Sequence, residues 1–109
     1  MKKIALFFSL IFFAIQLVAQ ENYLYGSFSH NGNTLPYRYL EPQNIKSNKK
    51  YPVVLFLHGA GERGTDNEAQ LLHCSGQFLN PDVRDRYPAY VFFPHAPQGA
   101  FWSIPDRLT

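Results

Sequence analysis

A single cysteine, Cys74, stands in a chain of 109 residues. One thiol closes no intramolecular disulfide, so the fold must rest on buried apolar surface. Cys74 itself reads as a small buried apolar residue, because His73 and Ser75 cannot face it from adjacent helical positions. The chain also lacks any Gly-x-Ser-x-Gly, the pattern that sets a serine on a sharp strand-to-helix turn. Ser27, Ser75 and Ser103 stand on no such sequence. No carboxylate pair or His/Asp cluster has metal-ligand spacing, so neither a metal nor a cofactor is expected. Internal repeats and low-complexity segments are absent as well.

A basic surplus is missing too, once the N-terminus is set aside. Lys2 and Lys3 precede an apolar run from Ile4 to Ile15, and Gln16 to Gln20 closes it with the small residue Ala19. This layout predicts a signal peptide over residues 1–19, cut after Ala19. Gln16 leaves the run short of the roughly 20 apolar residues that a membrane anchor needs. An exported protein, periplasmic or extracellular, is therefore expected. Residues 20–109 hold eight acidic and eight basic residues, so the whole-chain pI of 8.8 overstates the charge of the mature protein. With no basic stripe, nucleic acid is not an expected partner.

What is present reads as the opening of an α/β domain. Tyr23 to His30 is rich in strand-forming residues, Asn31-Gly32-Asn33 is a turn signal, and Thr34 to Leu40 resumes the strand. Pro36 places this second strand at an edge or delays its start. Glu41 to Lys50 is a polar surface loop. Val53 to Leu57 then runs without alternation, as a strand covered on both faces does. Thr65 or Asp66 caps a helix carrying Leu71, Leu72, Phe78 and Leu79, with Glu68 reaching back, until Asn80-Pro81 stops it. Asp82 to Tyr87 is a polar connection, and Ala89 to Phe93 is a second buried strand. Two such strands around one helix form a βαβ unit.

Between the first buried strand and the helix lies His58-Gly59-Ala60-Gly61-Glu62-Arg63-Gly64. Glycines let a backbone turn sharply and approach a ligand where a Cβ would clash. Backbone N–H groups aimed at a developing oxyanion stabilise it without reorganising. Ala60 is the expected donor, with Gly61 as the alternative. The string also fits Gly-x-Gly-x-x-Gly in letters, but Glu62 and export speak against a dinucleotide. A tight turn without chemistry is the plain alternative.

Leu57 to Asn67, Pro94 to Gln98 and Trp102 together resemble the N-terminal portion of exported serine esterases of the α/β-hydrolase fold. These are the enzymes related to polyhydroxybutyrate depolymerases, feruloyl esterases, dienelactone hydrolases and the phospholipase/carboxylesterase group. The sequence departs at Cys74, where such proteins often carry Gly, and at His95-Ala96. The resemblance implies ester hydrolysis by a Ser-His-Asp triad acting on a small-molecule or polymeric ester, with Ala60 and Gly61 in the oxyanion hole. His58, Gly59, Glu62, Arg63 and Gly64 would support the loop, Glu62 and Arg63 as an ion pair. His95 and Trp102 would line the pocket. The triad order is Ser…Asp/Glu…His, so its members are expected after Thr109, and residues 20–109 alone are expected to be inactive, with one sheet face uncovered. A peptidase of the prolyl-oligopeptidase type shares the fold. A small carbohydrate-binding module using Tyr and Trp is the reading from a different class.

Overall fold

The computed structural model describes residues 23–102. The signal peptide expected over residues 1–19 and Ser103 lie outside the described residues. Four strands form one mixed sheet in the order β1-β2-β4-β3. β1 (Leu24–His30) and β2 (Asn33–Leu40) are an antiparallel hairpin. Its turn residues Asn31 and Gly32 both have positive φ, 49° and 77°, the backbone that a two-residue turn matching strand twist requires. β4 (Tyr90–Pro94) pairs antiparallel with β2 and parallel with β3 (Val53–Leu55). The two apolar runs are thus neighbouring parallel strands, as a βαβ unit demands.

Pro36 does not mark an edge, because β2 lies inside the sheet. His30 pairs with Asn33 next to the turn, so Ser27 opposite Pro36 falls at a non-hydrogen-bonded position of the ladder. The proline nitrogen therefore faces the β4 side, where register pairing has already ended at Tyr37 and Pro94. Only the Pro36 carbonyl is used there, accepting from His95 N–H at 2.9 Å.

The connection from β3 to β4 is more broken than one helix. Two 3-10 turns, Ala60–Glu62 and Ala69–Leu71, precede two short helices, α1 (Ser75–Leu79) and α2 (Pro81–Arg86). Cys74 interrupts any longer helix: its φ of 65° is left-handed, and the thiol is exposed rather than buried. Asn80 ends α1 and caps α2, its Oδ1 accepting from Asp82 N–H at 2.9 Å with Pro81 at the first helical position. The segment 82–87 is therefore largely helical instead of a plain connection.

These pieces cover one face of the sheet. Val91, Phe93, Leu40 and Tyr23 form the core with Leu71, and Val54, Phe56, Phe78 and Leu79 pack against it. Phe93 meets Tyr23, Phe56 and Phe78 ring to ring. Beside this core Arg38, 1% exposed, donates to Tyr23 O and to Glu68 Oε1, both at 2.7 Å, under the ring of Tyr25. Glu68 thus answers a buried guanidinium instead of reaching back to its own turn. Among the described residues the opposite face is open: Val53 and Leu55 are 65% and 60% exposed.

Candidate active-site loop

β3 pairing reaches Phe56, whose N–H donates to Phe92 O at 2.9 Å. The chain then leaves the sheet at its carboxyl end through His58. Gly59 is extended, and Ala60–Glu62 closes a 3-10 turn by a bond from Glu62 N–H to Gly59 O. The first N–H groups of such a turn have no acceptor within it. Ala60 and Gly61 occupy those positions, and both are exposed.

Two buried histidines fix this turn from behind. His58 Nδ1 lies 2.7 Å from Gly59 O, and its Nε2 accepts from Ala96 N–H at 2.9 Å. His95 Nδ1 accepts from Asn67 N–H at 3.1 Å, and its Nε2 lies 2.8 Å from Glu62 O. A carbonyl can only accept and an amide N–H can only donate. His58 is therefore the neutral Nδ1–H tautomer and His95 the neutral Nε2–H tautomer. The two rings meet edge to face with centroids 5.5 Å apart.

His95, expected to line a pocket, has no exposed surface and braces the loop instead. Gly64 N–H donates to Ala96 O at 3.0 Å and ties the far end of the loop to the same segment. Glu62 and Arg63 do not form the expected pair. Glu62 Oε1 lies 3.0 Å from His73 Nε2, whereas Arg63 donates through Nε to Ala60 O and through Nη1 to Ala100 O. Trp102 leans on the ring of His58 and donates its indole N–H to His58 O at 2.8 Å. It borders a recess with His58, Gly59, Ala60, Ala96 and Phe101.

Beyond the loop, Asp66 Oδ1 accepts from Glu68 N–H and Ala69 N–H at 2.9 and 3.1 Å. The bonds from Ala69 and Glu68 hold its carboxyl below the ordinary carboxylate range. Asn67, at φ 54°, and Gln70 link this turn to Tyr37 O and Phe93 O of the sheet. Arg38 and Gln70 carry no sign of these contacts in the sequence. Only the Asn of a turn with positive φ left a signal. Tyr23 is the other perturbed group: burial pushes its hydroxyl well up, offset in part by Arg84, while it donates to Ser75 O at 2.6 Å. Among the described residues no cluster of three or more His, Cys, Asp or Glu could hold a metal, and no helix is long and apolar enough to cross a membrane.

No family model and no curated protein matches the chain. Among solved structures, one described as the crystal structure of a thermostable esterase superposes with a TM-score of 0.69 at 34% identity. The match covers 78% of this chain and 24% of that one, so the chain spans about a quarter of the esterase's length. The chain has an esterase-like α/β-hydrolase architecture, in the part that carries the opening strands and the first βαβ unit.

Proposed function

We propose that this chain supplies the oxyanion-hole half of an exported serine hydrolase that cleaves carboxylic esters through an acyl-enzyme. The observation that carries the reading is the Ala60–Glu62 turn, opening at the end of a parallel strand with two N–H groups unclaimed by the turn. Ala60 N–H is the donor to the oxyanion, and Gly61 N–H is its alternative. His58, Gly59, Glu62, Arg63 and Gly64 hold the turn, and Trp102 faces the substrate. The nucleophile, acid and base come from residues outside this chain. Lys2, Lys3 and the apolar run to Ile15 are the leader that exports the protein.

Ala60→Pro is the decisive variant, because it deletes one N–H and little else. The position opens a 3-10 turn and follows an extended Gly59 with φ −81° and ψ 177°, a setting that admits proline. In the enzyme assembled from this chain and its nucleophile-bearing remainder, kcat falls about 10²–10³-fold with KM little changed. Residues 20–109 alone turn over no chromogenic ester. Hydrolysis by them at an enzymatic rate overturns the reading, and an Ala60→Pro enzyme of full activity overturns Ala60 as the donor.

A further inference from the structure

The two imidazoles behind the Ala60 turn have different neighbours, and the difference is a carboxylate. Around His58 stand Gly59 O, Ala96 N–H and the rings of His95 and Trp102. Among the described residues no carboxylate pairs with it. Around His95 stand Glu62 O, Asn67 N–H, the ring of His58 and the backbone of Gly64. Asp66 joins them, its Oδ1 lying 3.7 Å from the same Nδ1 that accepts from Asn67. The other charged groups of the loop are engaged elsewhere: Glu62 with His73, Arg63 with Ala60 O and Ala100 O, and Glu68 with Arg38.

Imidazole is the side chain that changes charge between pH 8 and 5. Asp66 stays ionised over that range, because the amides of Ala69 and Glu68 hold its carboxyl below the ordinary one. A proton arriving at Nδ1 of His95 turns that nitrogen from acceptor to donor. It then opposes Asn67 N–H and faces a carboxylate with lone pairs beyond those its two amide bonds use. Nε2–H meanwhile keeps Glu62 O, and a cationic donor holds it more firmly. At His58 a proton sets N–H against Ala96 N–H and meets no anion.

We propose that Asp66, His95 and the Asn67 amide form a two-position latch behind the loop: neutral His95 ties Glu62 to Asn67, and protonated His95 ties Glu62 to Asp66. The Ala60–Glu62 turn is held in both positions, and only the 66–67 turn changes partner. Asn67, at φ 54°, loses a bond that helps to hold its left-handed backbone. His95 is a positioning residue here, acting on Ala60 and Gly61 through the Glu62 carbonyl. The latch needs neither ester nor nucleophile, and only its bearing on an oxyanion rests on the hydrolase reading.

The full chain, nitrogen-labelled in histidine, asparagine, alanine and glycine, is followed by NMR from pH 8 to 5. As His95 takes its proton, the Asn67 amide shifts with the same midpoint and loses protection from exchange with water. The amides of Ala60 and Gly61 stay in place. Asp66→Asn, whose side-chain oxygen still accepts from Glu68 and Ala69, weakens proton binding at His95 about tenfold. Asp66→Ser, an uncharged cap of another shape, gives the same weakening if the asparagine variant is unstable. In His95→Gln the side-chain amide donates to Glu62 O and leaves Asn67 unprotected at every pH. Displacement of Ala60 and Gly61 together with Asn67 overturns the proposal. So does a His95 that stays neutral until the chain unfolds, or proton binding that is unchanged in Asp66→Asn. A chain that aggregates is replaced by the assembled enzyme carrying the same labels. These shifts in an enzyme without esterase activity sink the hydrolase reading and leave the latch standing. Activity without the shifts does the reverse.

Discussion

One sheet presents two apolar faces, and the described residues close only one of them. On the closed face Phe93 and Val91 are 0% and 5% exposed, with Leu71, Phe78 and Leu79 laid over them. On the open face Tyr37, Tyr39 and Phe92 pack ring on ring. Around them Phe28, Leu35, Leu55, Leu57 and Trp102 border a cavity of about 360 Å³. The strands are the same and so is the residue chemistry. What differs is where the 56–89 connection goes: it turns wholly to one side. An apolar strand residue therefore records that a face is meant to be covered, while the connection decides which face this stretch of chain covers itself.

The strongest way to break this comparison is to strike both faces. Phe93→Ala removes a ring that three others touch, and costs about 3–5 kcal/mol. Leu55→Lys lies on the open face and changes stability by no more than about 0.5 kcal/mol, while it lowers aggregation by placing a charge on the edge strand β3. Urea unfolding and light scattering measure the two effects. Equal destabilisation by both variants would mean that the outer face is covered after all.

The hairpin, the parallel pair and the loop between them were legible because each rests on local chemistry. Asn31-Gly32 dictates its own turn, and Val53 to Leu57 and Ala89 to Phe93 have no other comfortable place than a sheet. The connection was legible only at its caps. Leu71, Leu72, Phe78 and Leu79 are spaced for one helix, yet Leu71 is buried and Leu72 is 69% exposed: the first pair belongs to a short 3-10 turn, and the left-handed Cys74 separates it from α1. The partner of Glu68 was hidden for another reason. Arg38 lies 30 residues away in sequence, and only the hairpin brings it beneath the loop.

The layer that closes the inner face offers two smaller probes. Asp66→Ala removes the acceptor of two backbone N–H groups at its start and costs about 1 kcal/mol. The Asp66 carboxyl titrates below its ordinary 3.8 in the folded chain. Its contribution is therefore complete above that value and disappears as pH falls through the lower folded one. Denaturant midpoints of the parent and the variant accordingly separate at neutral pH and converge in acid. Cys74→Gly is the smallest effect and has the opposite sign. Relief of a left-handed backbone at a residue with a Cβ raises stability by about 0.5–1 kcal/mol, whereas Cys74→Ala, which keeps the Cβ, does not.

The paired imidazoles behind the turn also restrict which substitutions the loop can bear. An asparagine amide reaches the place of a histidine Nδ1, and a glutamine amide that of Nε2, but neither side chain reaches both. At His58 an amide could replace the contact with Gly59 O or the one with Ala96 N–H, and at His95 the contact with Glu62 O or the one with Asn67 N–H. Only a five-membered ring with a nitrogen at each end joins a carbonyl to an amide across that span, so the shape of the turn is written in a side chain for which the genetic code holds no isostere.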